Sequence, residues 1–144
     1  MIRHGLAVLS SLGLLFGNGL QAGEIPEVAP TVAYANVSAG SGILVDVRTP
    51  DEWRETGVPV GALRVNFQGP DFVPMVKRIV EIHPDKTVYL ICRSGRRSLA
   101  AAAQLRQAGI DKAVSVESGV AGGHGWSAAR LPLENCRNCP PWAP

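Results

Sequence analysis

Two short and almost continuous apolar runs limit what this chain can fold into. Residues 43–48 read ILVDVR and residues 87–91 read TVYLI. A strand that is apolar on both faces is typical of a parallel sheet covered by helices, because a sheet with one wet face would show alternation. We therefore expect an α/β domain with a mostly parallel central sheet flanked by helices.

Helix-start residues follow the first of these runs. Thr49 can cap a helix, Pro50 suits its first position, and Glu52 completes a capping box with Thr49. Gly57 then offers a stop signal. The spacing predicts one short helix between the first strand and the next.

Two longer helices and two further strands are predicted from apolar spacing. The helices cover residues 71–83 and 98–108, and Gly109 ends the second. The predicted strands are residues 62–67 and 112–116. The core-facing stripe of the second helix is expected to consist of Leu99, Ala102, Leu105 and Ala108.

Cys92 directly follows the second apolar run and is the candidate catalytic residue. The carboxyl end of a buried parallel strand is where ligands gather in α/β sheets. The loop that follows, CRSGRR, leads into a helix, so unpaired N–H groups and the positive end of the helix dipole favour a thiolate. A glycine in the loop allows a nest of N–H groups around an anion. The candidate anion-binding residues are Arg93, Ser94, Gly95, Arg96, Arg97 and Ser98.

The alternative for Cys92 is an inert buried thiol, which is common in proteins. An inert thiol gains nothing from an arginine-rich turn at a helix N-terminus, so we favour the reactive interpretation. The formal net charge of the chain is only +2. This excess is too small for a nucleic-acid binder, and no such partner is expected.

The N-terminal segment resembles a secretory signal peptide. Residues 1–22 contain a short basic start, an apolar stretch and a small-residue end, so cleavage is expected after Ala22. The apolar stretch is interrupted by glycines and is shorter than the ~20 residues of a spanning helix, which disfavours an uncleaved anchor. We therefore expect a periplasmic or secreted protein with no stable membrane insertion after cleavage. Residues 23–41 are expected to be an extended lead-in.

The three cysteines suggest one pair and one free thiol in an oxidising compartment. Cys136 and Cys139 lie close enough in sequence for a local disulfide, which leaves Cys92 free. The alternative use of this C-x-x-C motif is a resolving dithiol that takes sulfur from Cys92. Two ligands are too few for a zinc site, so no metal and no cofactor are expected.

The chain resembles the rhodanese family of sulfurtransferases, in its single-domain form, over residues 42–133. The active-site pattern C-x-x-G-x-R-S of that family matches Cys92, Gly95, Arg97 and Ser98. Residues 134–144 would then be a C-terminal tail. The other segments that carry the resemblance are LVDVRTPDEW, GVPVGAL, SGVAGGHGW and ARLP.

The resemblance implies a two-step transfer of a sulfane sulfur through a Cys92 persulfide. The donor would be a small anion such as thiosulfate, or a persulfide, and the acceptor would be cyanide or a thiol. Arg97, with either Arg93 or Arg96, is expected to hold a sulfonate oxygen.

The pair Asp46 and Arg48 also matches the family and could support the pocket. The alternative for this pair is a structural role, with Arg48 bound to Glu52 or Asp46 bound to the active loop. Val58 stands where the family usually has histidine, and His124 is expected on a surface loop.

Three rival functions remain open. A phosphatase of similar fold has a Cys-x5-Arg loop, whereas Cys92 and Arg97 are separated by four residues. One residue spans up to ~3.5 Å, so the shorter loop favours sulfur over phosphate. An arsenate reductase would need a reducing partner. A non-enzymatic persulfide carrier or partner-binding module would use the same cysteine.

Overall fold

The computed structural model describes residues 23–142 of the chain. The predicted signal peptide lies outside the described residues. In the described part no helix is long and apolar enough to cross a membrane. The seven strands are β1 (Glu27–Val28), β2 (Gly42–Asp46), β3 (Val58–Pro59), β4 (Leu63–Arg64), β5 (Thr87–Ile91), β6 (Ala113–Val116) and β7 (Leu133–Glu134). The four helices are α1 (Pro30–Ser38), α2 (Pro50–Thr56), α3 (Phe72–Ile82) and α4 (Arg96–Gln107).

A five-stranded parallel sheet forms the centre of the fold, in the order β1-β6-β5-β2-β4. Its central strands are the two apolar runs, β2 and β5, which pair from Gly42 opposite Thr87 to Asp46 opposite Ile91. Both strands are almost entirely buried. The α/β prediction is confirmed, because helices pack on both faces of this sheet and bury its central strands.

The helices divide between the two faces of the sheet. Buried side chains of α3 and α4, including Val76, Ile79 and Leu105, pack on one face, while α1 packs on the other face through Ala33. The predicted helix positions are confirmed within a few residues. The expected stripe on α4 is partly wrong, because Leu99 is exposed and the buried face is rotated. That buried face consists of Ser98, Ala101, Ala102 and Leu105.

The capping box predicted for α2 is present. Thr49 Oγ1 accepts a hydrogen bond from the backbone N–H of Glu52, and the Glu52 carboxylate accepts one from the N–H of Thr49. Gly57 follows the helix with a φ of 77°, a left-handed conformation that favours glycine. The local sequence therefore determines both ends of this helix.

The expectation of an extended lead-in is wrong. Residues 23–41 contain β1, which pairs in parallel with β6 at the edge of the sheet, and the nine-residue helix α1. Helix α1 has no side-chain cap, and its apolar residues are not segregated to one face, so the proline at its first position is its main local helix signal. Tertiary packing stabilises it, through Ala33 in the core and Tyr34 edge-on against Trp126.

The C-terminal tail is packed against the domain, so the expected boundary at residue 133 does not separate it. Strand β7 pairs in antiparallel fashion with β3, and Cys136 is buried against Trp53 and Val58. The backbone N–H of Trp142 donates to the carbonyl of Arg64 on the edge strand β4. Val58, at the position where the resemblance showed a departure, is fully buried in this small cluster.

Candidate active site at the end of strand β5

Cys92 lies where β5 ends and is held by groups at the start of α4. The backbone N–H of Gly95 donates to the Cys92 sulfur over 3.1 Å, and the Oγ of Ser98 lies 3.6 Å from it. Gly95 is the N-cap residue of α4 and has a φ of 97°. A side chain at this φ would strain the backbone, so glycine is required where the loop turns its amides toward the sulfur.

A second loop fixes the orientation of the active loop from outside. The carbonyls of Cys92 and Arg93 accept hydrogen bonds from the N–H groups of Val120 and Ala121, over 2.8 and 2.9 Å. In a trans peptide the N–H points opposite to the carbonyl, so the amides that follow these two carbonyls are directed away from that loop. A Cβ on Gly119 would lie 2.3 Å from the Cys92 carbonyl oxygen, so the close approach requires glycine.

The Cys92 side chain is shielded, with 1% of the residue exposed. Burial alone would raise the pKa of the thiol. The hydroxyl and backbone N–H of Ser98, together with the N–H groups of Ser94 and Gly95, outweigh burial and hold the pKa of Cys92 below its ordinary value. The surroundings therefore favour a thiolate although solvent hardly reaches it.

Titration of Cys92 tests this balance. We expect the ultraviolet absorbance of the thiolate to appear at a lower pH than for an ordinary thiol, whose pKa is about 8.5. Ser98→Ala removes the hydroxyl that lowers the pKa most, so the transition should move to higher pH and alkylation at about pH 7 should slow by about tenfold. A transition that is unchanged in Ser98→Ala would contradict the assignment of this hydroxyl.

Arg97 does not point a free guanidinium at the sulfur. Its two terminal nitrogens lie 2.7 and 2.6 Å from the two carboxylate oxygens of Glu52, a bidentate pair that joins α4 to α2. The expectation that Arg97 holds a sulfonate oxygen is therefore not met by this geometry. Arg93 on the loop and Arg96 at the start of α4 are exposed and are the remaining candidates for that contact.

The pairing of Arg97 with Glu52 also makes the stability of the fold depend on pH. The hydrogen bond from Arg97 lowers the pKa of Glu52 from 4.5 to about 2, and the same pairing raises the pKa of Arg97. Because the pKa of the carboxyl is depressed in the folded state, its stabilising effect is complete above about pH 4.5 and is lost as the pH falls toward 2.

Glu52→Gln is expected to remove this acid dependence. The free energy of unfolding of the variant should lie about 2 kcal/mol below that of the wild type at about pH 7, and the difference should shrink toward pH 2. Urea unfolding across this range measures it. Glu81→Gln is the matched control, because its pairing with Arg78 is exposed and should change stability by less than about 0.5 kcal/mol. A Glu52→Gln difference that stays constant with pH would contradict the prediction.

Asp46 and Arg48 form a buried ion pair beside the active loop. Arg48 donates to both carboxylate oxygens of Asp46, with Nη2 at 2.7 Å, and also to Thr56 Oγ1 and the carbonyl of Gly57. Both charged side chains are at most 1% exposed. This geometry agrees with the structural alternative considered above, with partners that differ from those expected, since each residue binds the other. Arg48 also lines the cavity beside the active loop.

Sequence patterns did not identify three other contributors to the site. Glu52 was assigned only to a helix cap or to Arg48, Ser115 carries no motif, and the closeness of Gly119 to the active loop depends on the fold. Ser115 is buried on β6, with its Oγ 3.0 Å from that of Ser98. His124 is exposed, as expected.

A cavity of about 50 Å³ adjoins the active loop. Within residues 23–142 no group of three or more His, Cys, Asp or Glu side chains could hold a metal ion. The sulfur atoms of Cys136 and Cys139 are placed in a disulfide. The cavity is lined by Arg48, Glu52, Glu55, Thr56, Arg93 and Ala121.

Comparisons with known proteins give consistent matches. A protein named Sulfurtransferase from Allochromatium vinosum is 34% identical over 91 residues, which are 63% of this chain and 77% of that protein. A Bacillus subtilis protein named Putative sulfur carrier protein YrkF is 28% identical over 100 residues, which are 69% of this chain and 51% of its own length.

The fold is shared with a solved structure, and a family model covers most of the chain. The crystal structure of Rv0390 from M. tuberculosis matches with a TM-score of 0.68 and 27% identity, over 78% of this chain and 99% of that chain. The model of the rhodanese-like domain matches residues 29–128, a range that includes α1, the active loop and the loop that clamps it. This chain belongs to the rhodanese-like domain family.

Proposed function

We propose that the protein is a sulfurtransferase that carries a sulfane sulfur on Cys92. The observation that supports this most directly is the hydrogen bond that the N–H of Gly95 donates to the sulfur of Cys92, at the N-terminus of α4. A thiolate is the nucleophile in sulfur exchange, and this position stabilises it. The relative named as a sulfurtransferase supports the same class of reaction.

The first step loads the cysteine. The Cys92 thiolate attacks the outer sulfur of thiosulfate, a new sulfur–sulfur bond forms, and the old one breaks with sulfite leaving on its electron pair. Cys92 then carries a persulfide whose terminal sulfur is negative. The N–H groups of the loop are suited to stabilise that charge, since they already surround the sulfur of Cys92.

The second step transfers the sulfane sulfur from Cys92 to the acceptor. Cyanide, or a thiolate acceptor, attacks the terminal sulfur of the persulfide, and the Cys92 sulfur leaves as a thiolate. The products are thiocyanate, or an acceptor persulfide, and the starting enzyme. No external oxidant or reductant is needed, because the sulfane sulfur moves between nucleophiles at an unchanged overall oxidation level.

Anionic donors would be held by the exposed arginines of the loop. Arg93 lines the small cavity beside the loop, and Arg96 is exposed at the start of α4. Arg97 is committed to Glu52, so we assign it to holding α4 against α2 rather than to the donor.

A second candidate function is a persulfide carrier that delivers sulfur to a protein partner. The relative named as a putative sulfur carrier favours it, and it uses the same cysteine.

We also propose that the protein acts outside the cytoplasm once residues 1–22 are removed. Fractionation of expressing cells, with N-terminal sequencing of the processed chain, tests this location.

The central experiment incubates purified protein, beginning at Gly23, with thiosulfate and cyanide. We expect thiocyanate to form continuously, and mass spectrometry after thiosulfate alone should show an added mass of about 32 Da on the Cys92 peptide. An added mass without turnover to cyanide or small thiols would favour the carrier function. Hydrolysis of a phosphate ester without sulfur loading would refute both.

A further inference from the structure

Ser115 extends the hydrogen-bonded surroundings of Cys92 into the sheet. It lies on β6, has no exposed surface, and places its Oγ 3.0 Å from the Oγ of Ser98. The Ser98 Oγ also lies 3.0 Å from the carbonyl oxygen of Gly95 and 3.6 Å from the sulfur of Cys92. These polar atoms form one continuous buried chain that ends on the sulfur.

The number of protons on these atoms determines how their hydrogen bonds change when the Cys92 thiol becomes a thiolate. A serine hydroxyl has one proton to donate and two lone pairs that accept. When Cys92 is a thiol, its S–H donates to Ser98 and the Ser98 proton bonds to the carbonyl of Gly95. When Cys92 is a thiolate, the sulfur can only accept, so the Ser98 proton must turn toward it.

Ser98 has a lone pair free in both states, and the hydroxyl of Ser115 lies within reach to donate to it. A donated bond polarises the Ser98 hydroxyl and strengthens the bond that this hydroxyl gives to the sulfur. The Cys92 sulfur is negative at two points of the proposed cycle: when it attacks the donor, and when it leaves the terminal sulfur of the persulfide as the acceptor takes that sulfur. Both moments need the same hydroxyl orientation.

We propose that Ser115 is a positioning residue for sulfur transfer, whose hydroxyl acts through Ser98 to stabilise the negative sulfur of Cys92. The assignment rests on the proposed function, because it concerns the same cysteine. It goes beyond the sequence motif of the loop, since Ser115 lies 17 residues beyond Ser98, on a different strand.

The charged groups around Cys92 stay the same when Ser115 is changed. The carboxylates of β2 and α2 are each paired with an arginine, and the other two arginines that follow Cys92 are exposed, as is the acidic residue after β6. A shift in the titration of Cys92 in a Ser115 variant therefore reports on the hydroxyl. These charged residues are Asp46, Arg48, Glu52, Arg93, Arg96, Arg97 and Glu117.

The test compares wild type, Ser115→Ala and Ser115→Thr by titration of the thiolate absorbance and by alkylation. In Ser115→Ala the transition should move to higher pH, and alkylation at about pH 7 should slow by about threefold while the plateau rate at high pH is unchanged. The kcat of sulfur transfer should shift along the pH axis in the same direction. Ser115→Thr keeps the hydroxyl and should restore the wild-type transition.

Val116→Ala is the matched control. It removes methyl groups from a neighbouring buried position of β6 that packs in the cluster with Leu44, Tyr89 and Trp126. It should lower stability but leave the Cys92 transition in place, as judged by urea unfolding and the same titration. A transition in Ser115→Ala equal to that of the wild type would overturn the role of Ser115, even if sulfur transfer is intact. If the wild type transfers no sulfur but the Cys92 transition still shifts in Ser115→Ala, the proposed function would be overturned. The hydrogen-bonded link from Ser115 through Ser98 to Cys92 would then still hold.

Discussion

Cys92→Ser is expected to lower thiocyanate formation by at least about a thousandfold, the scale at which removal of a nucleophile acts. A serine hydroxyl remains protonated at neutral pH and cannot form a persulfide. The surroundings do not rescue it, because the N–H groups that favour a thiolate cannot ionise an alcohol whose pKa lies far above that of a thiol. Steady-state assay with thiosulfate and cyanide measures the loss, and the mass increase of about 32 Da should disappear.

Cys139→Ser is the matched control for this experiment. It removes a sulfur from the C-terminal tail, while Cys136 remains in the cluster with Trp53 and Val58. We expect Cys139→Ser to keep sulfur transfer within about threefold of wild type, with stability lower by about 2 kcal/mol from loss of the short disulfide loop. If transfer instead falls as far as in Cys92→Ser, the tail would be a resolving dithiol and the single-cysteine cycle would be wrong.

Asp46→Ala is expected to have the largest effect on stability. It leaves the guanidinium of Arg48 buried without its counter-charge, which typically costs about 3–5 kcal/mol. The remaining partners of Arg48 are the neutral oxygens of Thr56 and Gly57, which cannot balance the charge. Urea unfolding at about pH 7 measures the loss, and a domain of this size should melt more than about 10 °C lower.

The double variant Asp46→Ala/Arg48→Met separates the cost of a lone buried charge from the value of the pair. It removes both charges, so it should be more stable than Asp46→Ala alone. Glu81→Ala, at an exposed pair, should change stability by less than about 0.5 kcal/mol. If Asp46→Ala loses less than about 1 kcal/mol, the pair would not be the buried network that the geometry shows.

The sequence predicted the parts of the fold that depend on neighbours in the chain. The two apolar runs became the paired central strands β2 and β5, and the capping box of Thr49 and Glu52 formed as expected. Helix α1 was missed because it has no cap and its apolar residues do not line one face, so contact with the sheet determines it. The same is true of the short strands β1, β3 and β7, whose two residues each carry no periodicity.

By itself, the sequence determined that a cysteine would end a buried strand and meet the start of a helix through a glycine turn. Each of these features follows from the conformational preferences of adjacent residues. Only the tertiary structure decided that Arg97 binds Glu52, 45 residues away, and that Ser115 lies behind Ser98. A charged or hydroxyl group has many suitable partners in a chain of this length, and the packing of strands and helices determines which of them comes within hydrogen-bonding distance.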